Sequence, residues 1–214
     1  MNLKKRVFAV LASLVVGFGG ALAVQPAQAQ AAFPCVGVWN VAIGGLALSV
    51  NQGTWQSSAY LQANQLVGYN SADPVGGLNE LNRLIFEHRA QCPGDHIKIV
   101  GHSEGAAIAH QWVAEHQWFP RANAVLLADP KRFAVPGTGQ HGLANNPLNF
   151  VVGYPLRGVD ANFGNFPVET ICRWQDVICK DDGNWIGYLT GAHTAYNFNA
   201  FFYGTNMRGT LMLP

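Results

Sequence analysis

Charge is scarce in this 214-residue chain and nearly cancels: Lys and Arg number 13, Asp and Glu 12, together 12% of residues. A nucleic-acid partner needs a basic face to neutralise phosphates, so that class is excluded. No Cys-x-x-Cys pair and no His-Glu-x-x-His occurs, which removes the usual ligand spacings for zinc. No metal and no cofactor are therefore expected. Internal repeats and low-complexity tracts are also missing, and nothing marks a second domain. What is plentiful is glycine, at 24 residues, with six tryptophans beside it. That composition suits a rigid extracellular domain with long loops.

The N-terminal order supports export. Lys4, Lys5 and Arg6 precede an apolar stretch from Val7 to Val24, and small residues follow at Ala27, Ala29 and Ala31. This reads as a secretory signal over residues 1–31. A membrane anchor is the competing reading, but Gly17, Gly19 and Gly20 interrupt the stretch that an anchor would keep whole. Residues 32–214 are then expected to form one monomeric domain with a sizeable core, outside the cell or at its envelope, with no stable membrane span. Without the signal, 10 basic residues face 12 acidic ones, a formal charge of −2.

Four cysteines in an exported chain read as two disulfides, with three connectivities open. Cys172 and Cys179 lie seven apart, which favours a local bridge and leaves Cys35 for Cys92. By loop-closure entropy the short bridge contributes ~2.5 kcal/mol and the long one ~4 kcal/mol.

Apolar patterning then gives the elements. A buried strand is expected over Val36 to Ile43, broken by Gly44 and Gly45, and a second over Gln65 to Tyr69. A helix opening at Gly76 and Gly77 carries Leu78, Leu81, Leu84 and Ile85 on one face and ends near Cys92-Pro93-Gly94. Strand His96 to Val100, helix Ala106 to His116 and strand Ala122 to Ala128 follow. Strands alternating with helices predict an α/β architecture with a parallel sheet, whose ligands bind beyond the strand C-termini. From Asp129 to Pro167 the pattern dissolves into an excursion of the kind that lines binding sites.

Gly101-His102-Ser103-Glu104-Gly105 stands at one of those strand ends. A serine on a sharp strand-to-helix turn needs small residues two positions to either side, where a Cβ would meet the neighbouring backbone. Such a serine becomes a nucleophile only with a base to take its proton and a carboxylate to orient the base. His110 and His116 fall on the following helix, away from the strand ends, and read as ordinary helix or surface residues. His193 is the sole histidine after Asp160, Asp176, Asp181 and Asp182 and is the candidate base; a His141–Asp129 pair is the alternative. Asp176 is the candidate acid, because a Cys172–Cys179 bridge would hold its loop still. Asp129, before Pro130, is expected to bond its own turn. Asp181 and Asp182 read as solvent-facing.

Gly101-His-Ser-Glu-Gly-Ala106 after Cys92-Pro93, Cys172-Arg-Trp-Gln-Asp176-Val-Ile-Cys179, and His193-Thr-Ala-Tyr196 together resemble the cutinase family of small secreted serine esterases. The resemblance spans roughly Cys35 to Tyr196. It implies an α/β-hydrolase-like three-layer sandwich without a large lid, catalytic Ser103, Asp176 and His193, and a disulfide beside the acid. It also implies hydrolysis of fatty-acyl, lipid or polyester esters. Acyl transfer or hydrolysis on mycolyl-type envelope lipids is one alternative, and a non-catalytic binding protein on a hydrolase scaffold another.

The chain departs from the family pattern at three points. Glu104 stands where glutamine is usual, and Ile43-Gly44-Gly45-Leu46 replaces an Arg-Gly-Thr/Ser loop. The Asp176 to His193 interval is also longer, with Gly183-Asn184-Trp185 as the insertion. The oxyanion hole would then use the Glu104 N–H and a second donor from Gly44 or Gly45, with Gly45 taken as the candidate. Phe133, Phe150, Phe163 and Phe166, with Trp174 and Trp185, are expected to form an apolar acyl groove.

Overall fold

Among the described residues six strands, all parallel, form one sheet in the order β2-β1-β3-β4-β5-β6. In chain order these are β1 (Val38–Ile43), β2 (Gln65–Leu66), β3 (His96–His102), β4 (Ala122–Leu127), β5 (Val168–Arg173) and β6 (Gly209–Leu213), with helices α1 (Pro74–Gln91), α2 (Glu104–Glu115) and α3 (Trp185–Leu189). This computed structural model describes residues 34–46, 58–133, 140–145, 156, 158–182 and 185–214. The signal expected over 1–31 and the groove residue Phe150 lie outside the described residues.

The central strands are apolar along their length because both faces are covered. Against one face, Trp39, Val41, Ile97, Ile99, Ala124 and Leu126 pack on Leu81 and Ile85 of α1 and Ile108 and Trp112 of α2. Helix α1 begins where Asp73 accepts a hydrogen bond from the Gly76 N–H at 2.9 Å and Pro74 occupies the first turn, two start signals read from opposite sides of one residue boundary. The other face holds Ala42, Val100, Val125 and Ile171 under Tyr196, Ala200 and Tyr203. This third layer is the chain's late segment with short 3₁₀ turns at Ala192–Thr194 and Ala200–Phe202. Polar side chains from the sheet fasten it. Lys98, in register with Asn40 and Asn123, donates through Nζ to the Tyr203 carbonyl, and Asn123 Nδ2 donates to the Gly204 carbonyl at 3.2 Å.

The α/β architecture is as expected, with no large lid among the described residues. Two strands were not expected: β5 contains Glu169 and Thr170, and β6 is mostly exposed, so neither shows the apolar run of a buried strand. Both predicted disulfides are formed, Cys35–Cys92 and Cys172–Cys179.

The turn from β3 into α2 is closely packed against backbone. A Cβ on Gly105 would lie 2.3 Å from the Ile43 carbonyl oxygen and 2.4 Å from that of Gly44, and one on Gly101 2.6 Å from Ala106 Cα. All of these neighbours are backbone and cannot step aside. Gly105→Ala is therefore expected to destabilise the protein by about 1–3 kcal/mol, read as a lower urea midpoint at unchanged slope.

Candidate active site

Ser103 sits at the end of β3 with φ 57°, a left-handed conformation that a residue with a Cβ adopts only under constraint from its surroundings. The constraint is the glycine packing just described, and its result is to lift the side chain off the sheet beyond the strand C-termini. Across from it, the turn Ala192–Thr194 carries His193, entered through Gly191 at φ 98°. Asp176 lies in the loop that closes β5, inside the ring made by Cys172–Cys179.

These three side chains, 90 and 17 residues apart in sequence, form one line. His193 Nε2 is 3.0 Å from Ser103 Oγ. His193 Nδ1 is 2.9 and 3.1 Å from the two oxygens of Asp176. The Asp176 carboxylate is fully buried, and it accepts two further bonds, from the Tyr196 hydroxyl at 2.7 Å and the Ile178 N–H at 3.1 Å. A buried carboxylate with three donors is fixed in position. Because a carboxylate only accepts, His193 must carry its proton on Nδ1, which leaves Nε2 with a lone pair toward the serine. Tyr196 serves the acid and also accepts from the Arg173 N–H at 3.0 Å; burial, then the Asp176 charge, pushes its phenol far above the ordinary range. Tyr196 closes the His193-Thr-Ala-Tyr196 motif, which by itself carries no sign of this role.

A second chain of bonds runs behind the first. The His193 carbonyl accepts from His102 Nε2 at 3.0 Å, and His102 Nδ1 is 2.6 Å from the Tyr60 hydroxyl. That hydroxyl accepts the Gly45 N–H at 2.8 Å. Since a carbonyl cannot donate, His102 holds its proton on Nε2 and accepts from Tyr60. Burial, reinforced by His193, pushes the pKa of His102 down to about 3, so this relay is neutral; burial lifts Tyr60 to about 12. The loop over the serine and the loop carrying the base are thus joined through the residue before the nucleophile. Nothing in the local sequence pairs Tyr60 with His102, because the contact depends on tertiary closure across 42 residues.

The oxyanion donors expected at Glu104 and Gly45 fare differently. The Glu104 N–H opens α2 directly beside Ser103. Gly45 borders the serine so closely that a Cβ on it would lie 3.3 Å from Ser103 Oγ, but its N–H is given to Tyr60. This corrects the expectation of a free donor there: Gly45 contributes space rather than a hydrogen. The Gly44 N–H is likewise engaged, by Ser58 Oγ at 2.9 Å.

Other expected roles also change. His110 is no surface residue; it is buried between Asp129 Oδ2 at 2.7 Å and Asp160 Oδ1 at 2.9 Å. Burial opposes its charge, yet the Asp129 and Asp160 carboxylates outweigh it and raise its pKa, and both ring nitrogens donate. Asp129 is therefore paired with His110 and not with His141, whose Nδ1 contacts the Gly142 carbonyl; Asp129 also bonds its own turn through the Lys131 N–H, as expected. Asp182 is exposed, as expected, and forms an ion pair with Lys180.

The expected acyl groove does not assemble as one surface among the described residues. Phe133, Phe163 and Phe166 line a cavity of about 360 Å³ with Arg132, Asp160 and Arg208, and none of Ser103, Asp176 or His193 borders it. Phe166 and Phe163 pack on Trp112 and His110 of α2 instead. Trp174 is half-exposed beneath Lys180. Of the five groove aromatics among the described residues, Trp185 lies near the base: it meets Tyr188, whose ring centroid is 5.0 Å from that of His193.

The family model for cutinases matches residues 29–202. A search of curated proteins finds no match. Among solved structures the chain is similar to an acetylxylan esterase, at 14% identity over 76% of this chain and 92% of that one, with a TM-score of 0.47. It is also similar to a cutinase-like protein from Cryptococcus sp., at 17% identity over 75% and 91% of the two chains and a TM-score of 0.45. Lysin B from Mycobacteriophage D29 is a third, at 12% identity over 68% and 67%, TM-score 0.45.

Proposed function

We propose that this chain, which belongs to the cutinase family and is a carboxylic ester hydrolase, is a secreted serine esterase acting on apolar, fatty-acyl or polyester substrates through Ser103, His193 and Asp176. The observation that carries the reading is the continuous line from Ser103 Oγ to His193 Nε2 at 3.0 Å and from His193 Nδ1 to Asp176 at 2.9 Å.

In the proposed cycle Ser103 Oγ attacks the ester carbonyl carbon while His193 Nε2 takes the hydroxyl proton. The oxyanion accepts the Glu104 N–H at the positive end of α2. When the carbon–oxygen bond breaks, His193 returns the proton to the departing alcohol and the acyl group remains on Ser103. Water then adds with His193 again as base, and the carboxylic acid leaves. Asp176 keeps the imidazole in the tautomer that can accept at Nε2. Residues 1–31 supply the export signal in this reading, and two disulfides suit an oxidising compartment.

The substrate class rests on α3. Ile186 and Leu189 are 72% and 79% exposed, and the partly exposed Trp185 and Tyr188 lie on the same short helix, Tyr188 with its ring 5.0 Å from that of His193. Exposed apolar side chains grouped at the rim of a site suit contact with an apolar substrate surface. The test compares the Ile186→Ser, Leu189→Ser double variant with the parent on two esters. We expect kcat/KM on an emulsified long-chain ester to fall about tenfold, and turnover of soluble p-nitrophenyl acetate to change less than about twofold. Equal loss on both would remove the interfacial role from α3.

A further inference from the structure

Glu104 occupies an unusual position for an acid. It follows the nucleophile directly, is 1% exposed, and no lysine or arginine bonds it among the described residues. Its carboxyl partner is Tyr69, whose Oη lies 3.2 Å from Glu104 Oε2 and 2.7 Å from the Gly44 carbonyl oxygen. A phenol has one hydrogen, and a carbonyl has none to give. The shorter contact takes the Tyr69 hydrogen to Gly44. The second contact then depends on the state of Glu104: a protonated carboxyl donates to the phenol oxygen, whereas a carboxylate is bonded only by drawing the phenol hydrogen away from Gly44. Protonated, the chain runs from Glu104 to Tyr69 to Gly44 with every hydrogen used, and it ties the start of α2 to the loop whose next residue, Gly45, borders Ser103 Oγ.

Among the described residues, the groups facing Glu104 offer no compensating positive charge. From the segment after β1, Tyr69 meets it, with Tyr60 acting on Tyr69 in turn. From α1, Gly77 backs the Tyr69 ring and brings no charge. From β3, His102 is neutral, and within α2 His110 spends its charge on Asp129 and Asp160. The N-terminal end of α2 favours an anion at this position. Burial is stronger: it pushes the Glu104 carboxyl up to about 8, with the Tyr69 bond limiting the rise.

We propose that Glu104 is a positioning residue that acts as a neutral carboxylic acid, holding the Gly44 carbonyl through Tyr69, and that its ionisation shuts the esterase down at alkaline pH. The proposal rests on the Ser103 esterase reading. Loss of the proton has two consequences for that chemistry. The Tyr69 hydrogen is drawn from Gly44 to the stronger acceptor, the new carboxylate, which frees the loop beside Ser103. A buried negative charge also appears one peptide from the N–H that receives the oxyanion, and the two anions repel in a medium of low dielectric. Folding is linked in the same direction. A carboxyl whose native pKa lies above its unfolded one stabilises fully at low pH and loses that contribution as pH rises toward about 8.

The test pairs activity with a direct reading of the carboxyl. In the parent, kcat/KM is expected to fall about tenfold per pH unit on the alkaline side. In Glu104→Gln, which keeps the shape and cannot ionise, the profile normalised to its own maximum should lose this limb. Tyr69→Phe, which removes the bond that favours the carboxylate, should move the limb to higher pH. Infrared difference spectra of parent minus Glu104→Gln should contain a protonated-carboxyl band at neutral pH that disappears along the same titration; the subtraction removes Glu169, whose pKa burial also raises. An unchanged alkaline limb in Glu104→Gln, or no protonated-carboxyl band at neutral pH, would overturn the proposal. Absence of turnover at every pH with the band present would sink the Ser103 reading and the proposed pH control with it, while the protonation assignment stood.

Discussion

Ser103→Ala is expected to lower kcat on a soluble ester by about six orders of magnitude. The substitution removes the atom that forms the acyl bond, and neither partner can substitute for it: His193 is held by Asp176, and Asp176 is fully buried. What remains is the catalysis by the Glu104 N–H and substrate binding, about 10³- to 10⁴-fold over water. The fold should survive, because alanine fits the space and the lost bond to His193 is a single contact worth about 1 kcal/mol. Circular dichroism and the thermal midpoint should therefore match the parent closely. A variant that kept activity within a factor of about ten would remove Ser103 from the chemistry.

Asp176→Asn is the second large effect, about 10⁴-fold in kcat. Three donors converge on the carboxylate: His193 Nδ1, the Tyr196 hydroxyl and the Ile178 N–H. An amide has one accepting oxygen, and its nitrogen presents hydrogens to whichever donors remain. The Ile178 N–H cannot turn, so the cheapest adjustment is for His193 to move its proton to Nε2 and accept at Nδ1. The imidazole then faces Ser103 Oγ with a hydrogen and cannot take the serine proton. The buried site would also lose stability by about 1–3 kcal/mol through imperfect pairing. Proton NMR gives an independent view: the downfield Nδ1 proton of His193 should vanish in Asp176→Asn. Its persistence alongside full activity would contradict the orienting role.

The parts of the site that were legible in the sequence are those set by local rules. Gly101, Ser103 and Gly105 announced the elbow because small residues at that spacing answer to backbone collisions a few ångströms away, and the collisions are there. Cys172, Asp176 and Cys179 sit in one short loop, and His193 was the one late histidine, so position along the chain sufficed. The parts that escaped depend on closure between distant segments. Tyr60 and His102 meet only after β1 and β3 pair, and His110 is caught by Asp160, 50 residues away. The position of Phe163 and Phe166 within the excursion points to the groove, yet they pack on α2, since an aromatic side chain reports that it is buried and not what buries it. Strands β5 and β6 were hidden because Glu169 and Thr170 interrupt the apolar pattern in one, and the other is an edge strand with little buried surface. Glu104 was visible as a departure at the elbow; its burial and its bond to Tyr69 were not.

The central claim is that Ser103 is a nucleophile activated by His193, and covalent labelling tests it most directly. The parent protein is incubated with a fluorophosphonate, digested, and the adduct located by mass spectrometry, with Ser103→Ala and His193→Ala carried in parallel. The account predicts stoichiometric modification at Ser103, none in Ser103→Ala, and labelling slowed by at least about a hundredfold in His193→Ala. Modification at another residue, or equal labelling of the parent and Ser103→Ala, would contradict it.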